Sequence, residues 1–214
     1  MAVLDHRALR VYVLTSASFA GRSHRDVAMA ALEGGASAVQ LRAPELREDD
    51  LLAVASELAR TCADAGVLFV INDRPEIAVS AGAAGSHVGR EDDPSRARLA
   101  LGPDRVLGMS VDDATQAHDA EELGADYLGV TVWATSTKPE ATPGGLGLVR
   151  AITGRSALPV VGIGGIDATN APAVVDAGAA GVAVLSAVAD APDPIEATRE
   201  LVRVVDGAFE RRGG

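Results

Sequence analysis

Apolar positions in this chain fall in short unbroken runs, each following a stretch of helical spacing that ends in a knot of small residues. Glu33-Gly34-Gly35-Ala36 precedes Ala38-Val39-Gln40-Leu41, and Ala65-Gly66 precedes Val67-Leu68-Phe69-Val70-Ile71. Leu123-Gly124-Ala125-Asp126 precedes Tyr127-Leu128-Gly129-Val130, and Ala177-Gly178-Ala179-Ala180 precedes Gly181-Val182-Ala183-Val184. Glycine just past a helix takes the left-handed cap without steric cost, and continuous apolar runs suit strands covered on both faces. The repeating unit is a βα unit.

Eight strands are predicted, at about Val11 to Leu14, Ala38 to Leu41, Leu68 to Ile71, Gly85 to Val88, Val106 to Met109, Tyr127 to Val130, Val160 to Ile163 and Val182 to Leu185. Gly85 to Val88 carries the weakest pattern. Asp93-Pro94 and Asp193-Pro194 each place a capping carboxylate before a proline in the first turn of a helix. Eight parallel βα units close into a barrel more naturally than into an open sheet, so the expected fold is α/β, a (β/α)8 TIM barrel. A single domain is expected over residues 1–214, with about 1–9 and 208–214 loosely attached.

Composition narrows the function classes. The net charge of -11 opposes nucleic acid or an anionic membrane surface as partner, because both need clustered cations, so an anionic ligand must be held by a local site. No apolar run reaches membrane-spanning length, and the basic-then-apolar start of a secretory signal is not seen. The single cysteine, Cys62, lies in a helical pattern and is read as packing, which suits a reducing cytoplasm. Aromatics make up only 3% of the chain, leaving Ala, Val and Leu to fill the core.

In such a barrel, function gathers at the C-terminal ends of the strands. That rim carries Gln40 and Arg42, Asn72 and Asp73, then His87 to Asp93, Ser110, and the loop Thr131 to Lys138. Val160 to Asp167 and Gly181 to Ala187 end their strands in small residues before a helical pattern, which bares backbone N–H groups for an anion; a tight strand-to-helix turn fits the same residues. Asp73 and Asp92 offer oxygen ligands to Mg²⁺, which takes one or two protein carboxylates and completes its shell with water and phosphate. Asp73 could instead cap the helix at Pro75, whereas Asp93 is assigned mainly to the cap at Pro94. Thr135, Thr137 and Lys138 place two hydroxyls and an ammonium in one short loop, and Arg42 adds a bidentate anion donor. The histidines read as packing or hydrogen-bonding residues: His6 and His24 fall outside the predicted rim, His118 lies in a helix, and His87 has no second ligand at metal spacing.

Taken together, Gln40-Leu41-Arg42, Ile71-Asn72-Asp73, His87-Val88-Gly89 with Glu91-Asp92, Gly124-Ala125-Asp126-Tyr127, Thr135-Ser136-Thr137-Lys138-Pro139, Gly162-Ile163-Gly164-Gly165-Ile166 and Ser186-Ala187 resemble the thiamine phosphate synthase family from about Val11 to Asp206. The resemblance implies a Mg²⁺-dependent transferase of the cytoplasm that joins hydroxymethylpyrimidine pyrophosphate to thiazole phosphate and releases pyrophosphate. It implies Asp73 and Asp92 as metal ligands, with Arg42, Asn72, Ser110 and Lys138 on the pyrophosphate and Gln40 on the pyrimidine. Thr135, Thr137, Gly165 and Ser186 would hold the thiazole phosphate, with Leu185 beside them. Arg42, Ser110 and Lys138 are the expected catalytic groups, and a homodimer is the default assembly.

Three departures fall on the pyrophosphate side. Arg42-Ala43-Pro44 lacks the lysine usual in the family, Val130-Thr131-Val132-Trp133 replaces a Gly-Pro and is one residue shorter, and Asp112 stands where a histidine is common. Asp112 or Asp113 could turn away to cap the next helix, and Arg90, where glutamine is common, could restore positive charge. Two alternatives therefore accompany the synthase: a thiazole tautomerase-like paralogue, against which Asp73 and Asp92 argue, and a non-catalytic phosphate-ligand binder.

Overall fold

A computed structural model describes residues 4–17, 19–89, 92–135 and 142–213. Eight parallel strands close into a barrel in sequence order: β1 (Val11–Leu14), β2 (Ala38–Leu41), β3 (Leu68–Asn72), β4 (Gly85–Val88), β5 (Val106–Ser110), β6 (Tyr127–Thr131), β7 (Val160–Ile163) and β8 (Gly181–Val184). Closure is made by β1 on β8, with Val11 opposite Val182 and Val13 opposite Val184. The α/β barrel expected from the βα repetition is therefore the fold, and the short Gly85–Val88 run is a full member of it.

The helices α1 (His24–Glu33), α2 (Glu48–Asp64), α3 (Pro75–Ala81), α4 (Pro94–Leu101), α5 (Ala114–Glu122), α6 (Gly145–Thr153), α7 (Ala171–Asp176), α8 (Ser186–Ala189) and α9 (Pro194–Gly213) follow the strands. Their starts are chemically marked. Asp93 Oδ1 accepts from the amides of Ser95 and Arg96, Asp113 Oδ1 from Thr115 and Gln116, and Asp193 Oδ1 from Ile195 and Glu196. Each such cap stabilises its helix by about 1 kcal/mol. Asp113, and not Asp112, is the cap of α5; the Asp112 amide instead donates to Gln116 Oε1.

The pleat sends alternate strand residues to opposite sides, producing two apolar layers. Val13, Val39, Leu41, Phe69, Ile71, Leu107, Leu128, Val130 and Val182 pack outward against the helices, with Cys62 buried on α2 among them. Tyr12, Leu14, Ala38, Val70, Tyr127, Val161 and Ala183 fill the barrel interior, closed below by Leu9. Strands β3, β5 and β6 each run one residue beyond the apolar pattern, so Asn72, Ser110 and Thr131 are strand ends. A strand fixes side-chain direction more firmly than a loop, and these three polar groups are thereby aimed at the barrel mouth.

Candidate active site

A cavity of about 370 Å³ opens at the ends of β1, β6, β7 and β8. Arg42, Thr135, Gly165, Leu185 and Ser186 all line it, joined by Leu14, Thr131, Ile163 and the Gly164 backbone. Gly164 and Gly165 hold φ at +89° and +61°, where a side chain would be strained, and a Cβ on Gly165 would stand 3.0 Å from Ala134 O. The turn is pinned by Trp133 N on Gly164 O at 3.3 Å and by Asn170 Nδ2 on Gly165 O at 2.9 Å. The amides of Gly165, Ile166, Ser186 and Ala187 make no hydrogen bond to other described residues, which leaves them for a ligand. One sequence expectation changes here. The turn after β7 does not pass straight into a helix, since α7 starts only at Ala171; its anion-facing amides come from the glycine turn, whereas β8 does lead at once into α8.

Across the mouth stand Asp73 and Asp92. Asp73 does not cap α3, whose N-cap is Arg74; it sits at φ +57°, a costly conformation for a residue with a side chain, fixed by its amide on His87 O at 2.8 Å. Asn72 Nδ2 donates to the Asp73 carboxylate, and Asp92 Oδ2 accepts from Gly89 N at 2.8 Å. Asp73 is exposed as a whole, yet enough water is stripped from its carboxyl to push its pKa up, and neighbouring Asp92 pushes it further. A carboxyl whose proton affinity is raised by a neighbouring carboxylate suits a hard divalent cation, with no clash of ligand type. Among the described residues no group of three or more His, Cys, Asp or Glu forms a metal cage, so water and ligand oxygens would complete the shell of such an ion.

Between these halves, polar side chains cross the barrel interior. Gln40 Nε2 donates to Tyr12 Oη at 2.9 Å, Tyr12 Oη lies 3.0 Å from Tyr127 Oη, Tyr127 Oη 3.0 Å from His87 Nδ1, and His87 Nε2 3.0 Å from Ser110 Oγ. Space for this row depends on Gly108, where a Cβ would overlap the Tyr127 ring. Burial pushes the Tyr12 hydroxyl up to about 12 and Tyr127 well above its ordinary value, so both are neutral hydrogen-bonding groups.

The expected residues thus divide into three groups. Arg42, Thr135, Gly165, Leu185 and Ser186 meet in the cavity, and Asn72, Asp73 and Asp92 form the carboxylate side. Gln40 and Ser110 end the interior row. Thr137 and Lys138, with Arg90, Glu91 and Ser136, lie outside the described residues. Pro44 is exposed beyond buried Ala43. Sequence reading missed the row's members Tyr12 and Tyr127, and it left His87 without a named partner. It also set His24 apart from the rim, whereas His24 Nδ1 lies 2.8 Å from Thr15 Oγ1, immediately after β1.

Fold and site define a (β/α)8-barrel enzyme whose polar groups gather at the C-terminal mouth of the strands. The family model described as thiamine monophosphate synthase matches residues 11–188. The chain is 44% identical over 206 residues to a thiamine-phosphate synthase of Roseiflexus sp. strain RS-1, covering 94% of this chain and 87% of that protein. It is 44% identical over 203 residues to the thiamine-phosphate synthase of Natronomonas pharaonis, covering 92% and 95%. The solved thiamine phosphate pyrophosphorylase of Pyrococcus furiosus superposes with a TM-score of 0.89 at 33% identity, over 95% of this chain and 98% of that one. The chain belongs to the thiamine monophosphate synthase family and is a transferase.

Proposed function

We propose that the chain joins hydroxymethylpyrimidine pyrophosphate to thiazole phosphate, releasing pyrophosphate and forming thiamine phosphate. The observation that carries this reading is the division of one barrel mouth into a glycine-lined cavity with unengaged amides and a facing carboxylate pair. In the reaction the bond from the pyrimidine methylene carbon to pyrophosphate oxygen breaks, its electron pair leaving with pyrophosphate. The thiazole nitrogen lone pair forms the new C–N bond.

Gly165, Ser186 and Thr135 hold the thiazole phosphate and thereby aim its ring nitrogen, while Arg42, Asn72, Ser110 and Lys138 grip the pyrophosphate and Gln40 orients the pyrimidine. Thr137 adds its hydroxyl to the phosphate set, and Leu185 packs against the ring. Asp73 and Asp92 would hold Mg²⁺, which would supply positive charge beside the leaving group. No protein nucleophile is required. The setting is cytoplasmic, and the assembly a homodimer.

Pyrophosphate release with both substrates and Mg²⁺ tests the reading. Turnover is expected in the natural chain, loss of at least about a hundredfold in Asp73→Ala, and a gain in Pro44→Lys, which restores a cation beside Arg42. Absence of turnover with thiazole phosphate still bound tightly would overturn it in favour of a non-catalytic binder.

A further inference from the structure

The interior row has a direction. Among the described residues Tyr12 Oη meets two partners, and one of them, Gln40 Nε2, can do nothing but donate. The Tyr12 proton must therefore go to Tyr127 Oη. Tyr127, whose oxygen is then an acceptor, has one place among the described residues for its own proton, His87 Nδ1. A neutral imidazole that accepts at Nδ1 carries its proton on Nε2, and that proton points to Ser110 Oγ, 3.0 Å away. Ser110 Oγ accepts from His87, so its hydroxyl proton is turned outward to the mouth. At the opposite end no described residue donates to Gln40 Oε1; since no fully buried side-chain nitrogen or oxygen among the described residues lacks a partner, that oxygen keeps a small exposed surface through which a ligand can reach it.

The geometry points to a polarised relay, Gln40–Tyr12–Tyr127–His87–Ser110, that fixes His87 in its Nε2–H tautomer and presents an acceptor, Gln40 Oε1, and a donor, the Ser110 hydroxyl, at two set points of the mouth. Tyr12, Tyr127 and His87 are positioning residues, acting on ligand only through the two ends. The spacing is protected from within: Tyr12 and Tyr127 pack edge to face at 6.1 Å, and the His87 ring lies 5.4 Å from Tyr127. Such a site discriminates by polarity. It accepts a ligand with an amino group at one end and an anionic oxygen at the other, and it leaves a buried group unpaired when either is missing. On the synthase reading, on which this last step rests, the amino group is that of the pyrimidine and the oxygen belongs to its pyrophosphate.

The direction is measurable without turnover. In the full chain labelled with ¹⁵N-histidine, long-range ¹H–¹⁵N spectra should show His87, assigned by its loss in His87→Gln, as the Nε2–H tautomer, and Tyr127→Phe should shift it toward a mixture. An Nδ1–H tautomer in the natural chain, or a tautomer unmoved by Tyr127→Phe, overturns the relay whether or not the chain is a synthase. If Tyr127→Phe does not fold, Tyr12→Phe replaces it, and the natural chain's tautomer alone still decides the direction. In the pyrophosphate-release assay, Tyr127→Phe is expected to lower kcat about tenfold, the worth of one mis-set hydrogen bond, with KM for thiazole phosphate unchanged. Added to Ser110→Ala it should cost nothing more; fully additive losses overturn its positioning role.

Discussion

His24 Nδ1 lies 2.8 Å from Thr15 Oγ1, a contact between the first turn of α1 and the residue that follows β1, with Thr15 fully buried. The second ring nitrogen, Nε2, is 2.6 Å from Glu45 Oε1, and Thr15 Oγ1 accepts from the Arg42 amide at 3.4 Å. Burial pushes the Glu45 carboxyl up, but the His24 hydrogen bond, a backbone hydrogen bond of Glu45 itself and the charge of Arg42 together hold it below its ordinary value. An ionised carboxylate can only accept, so Nε2–H donates to Glu45 and Nδ1 accepts from the Thr15 hydroxyl. The imidazole is thus a strut between α1 and the loop that carries Arg42 into the cavity.

Removing that strut should be felt in both stability and binding. His24→Ala leaves the Thr15 hydroxyl buried without an acceptor and opens a void, a cost of about 2–3 kcal/mol. Urea unfolding measures it, and the KM of the proposed pyrophosphate substrate should rise as Arg42 loosens. A stability change within about 0.5 kcal/mol would mean that the strut carries no load.

The contrast between His24 and Asp93 explains what was readable from sequence. Asp93 acts on amides two and three residues away, so Asp-Pro at the head of a helical pattern suffices to find it. The strands were equally legible, because a run covered on both faces needs only its own apolar residues, and the residues after each run marked the mouth. His24 reaches a partner 21 residues on, and Tyr12 pairs with Tyr127 over a separation of 115. A tyrosine inside an apolar run reads as core, which these two also are; only barrel closure brings their hydroxyls together. The anion-facing turn after β7 is legible for partly the wrong reason, because the helix taken to bare its amides begins only at Ala171, past the turn.

Both tyrosines of the chain lie in the buried row, which gives alkaline pH a distinctive effect. The folded Tyr12 is raised from 10.0 to about 12, so the folded state binds the proton more tightly than the unfolded one. Its contribution to stability is complete below 10.0 and is lost as pH rises from there through about 12. Ultraviolet titration of the folded chain should show almost no tyrosinate at pH 10, with the signal appearing together with loss of circular dichroism. Half-ionised tyrosine at pH 10 in a chain that is still folded would contradict the buried row. Cys62, pushed to about 12 by burial, should stay unreactive to thiol reagents over the same range.

The metal role proposed for the Asp73–Asp92 pair would set function against stability. Without a cation, the two carboxylates repel at neutral pH and Asp73 is held at a positive φ. Asp73→Asn removes one charge and keeps the shape, so in chelator-treated protein its melting temperature should exceed that of the natural chain. Millimolar Mg²⁺ should raise the melting temperature of the natural chain and leave Asp73→Asn nearly unmoved. Equal responses of the two proteins to Mg²⁺ would remove Asp73 from the proposed metal site.

At the opposite end of the barrel, Arg98 on α4 ties down the strands that carry Ser110 and Tyr127. Its guanidinium donates to Asp126 Oδ2 at 2.7 Å, to Gly124 O, to Gly102 O and to Arg105 O, while Asp126 Oδ2 also accepts from Leu107 N at 2.8 Å. The pair is mostly shielded, with side chains 22% and 20% exposed, so Arg98→Ala strands a carboxylate and several carbonyls at the start of β5 and β6. Breaking one side of such a pair costs about 3 kcal/mol. Arg98→Lys keeps the charge but can make at most three of these bonds, and it should recover less than half of that loss. Thermal unfolding ranks the three proteins. Because both strands end in the active-site mouth, the Arg98→Ala chain should lose its stability well before its kcat at 25 °C changes; a kcat loss larger than that of Ser110→Ala would show instead that Arg98 sets the geometry of the mouth directly.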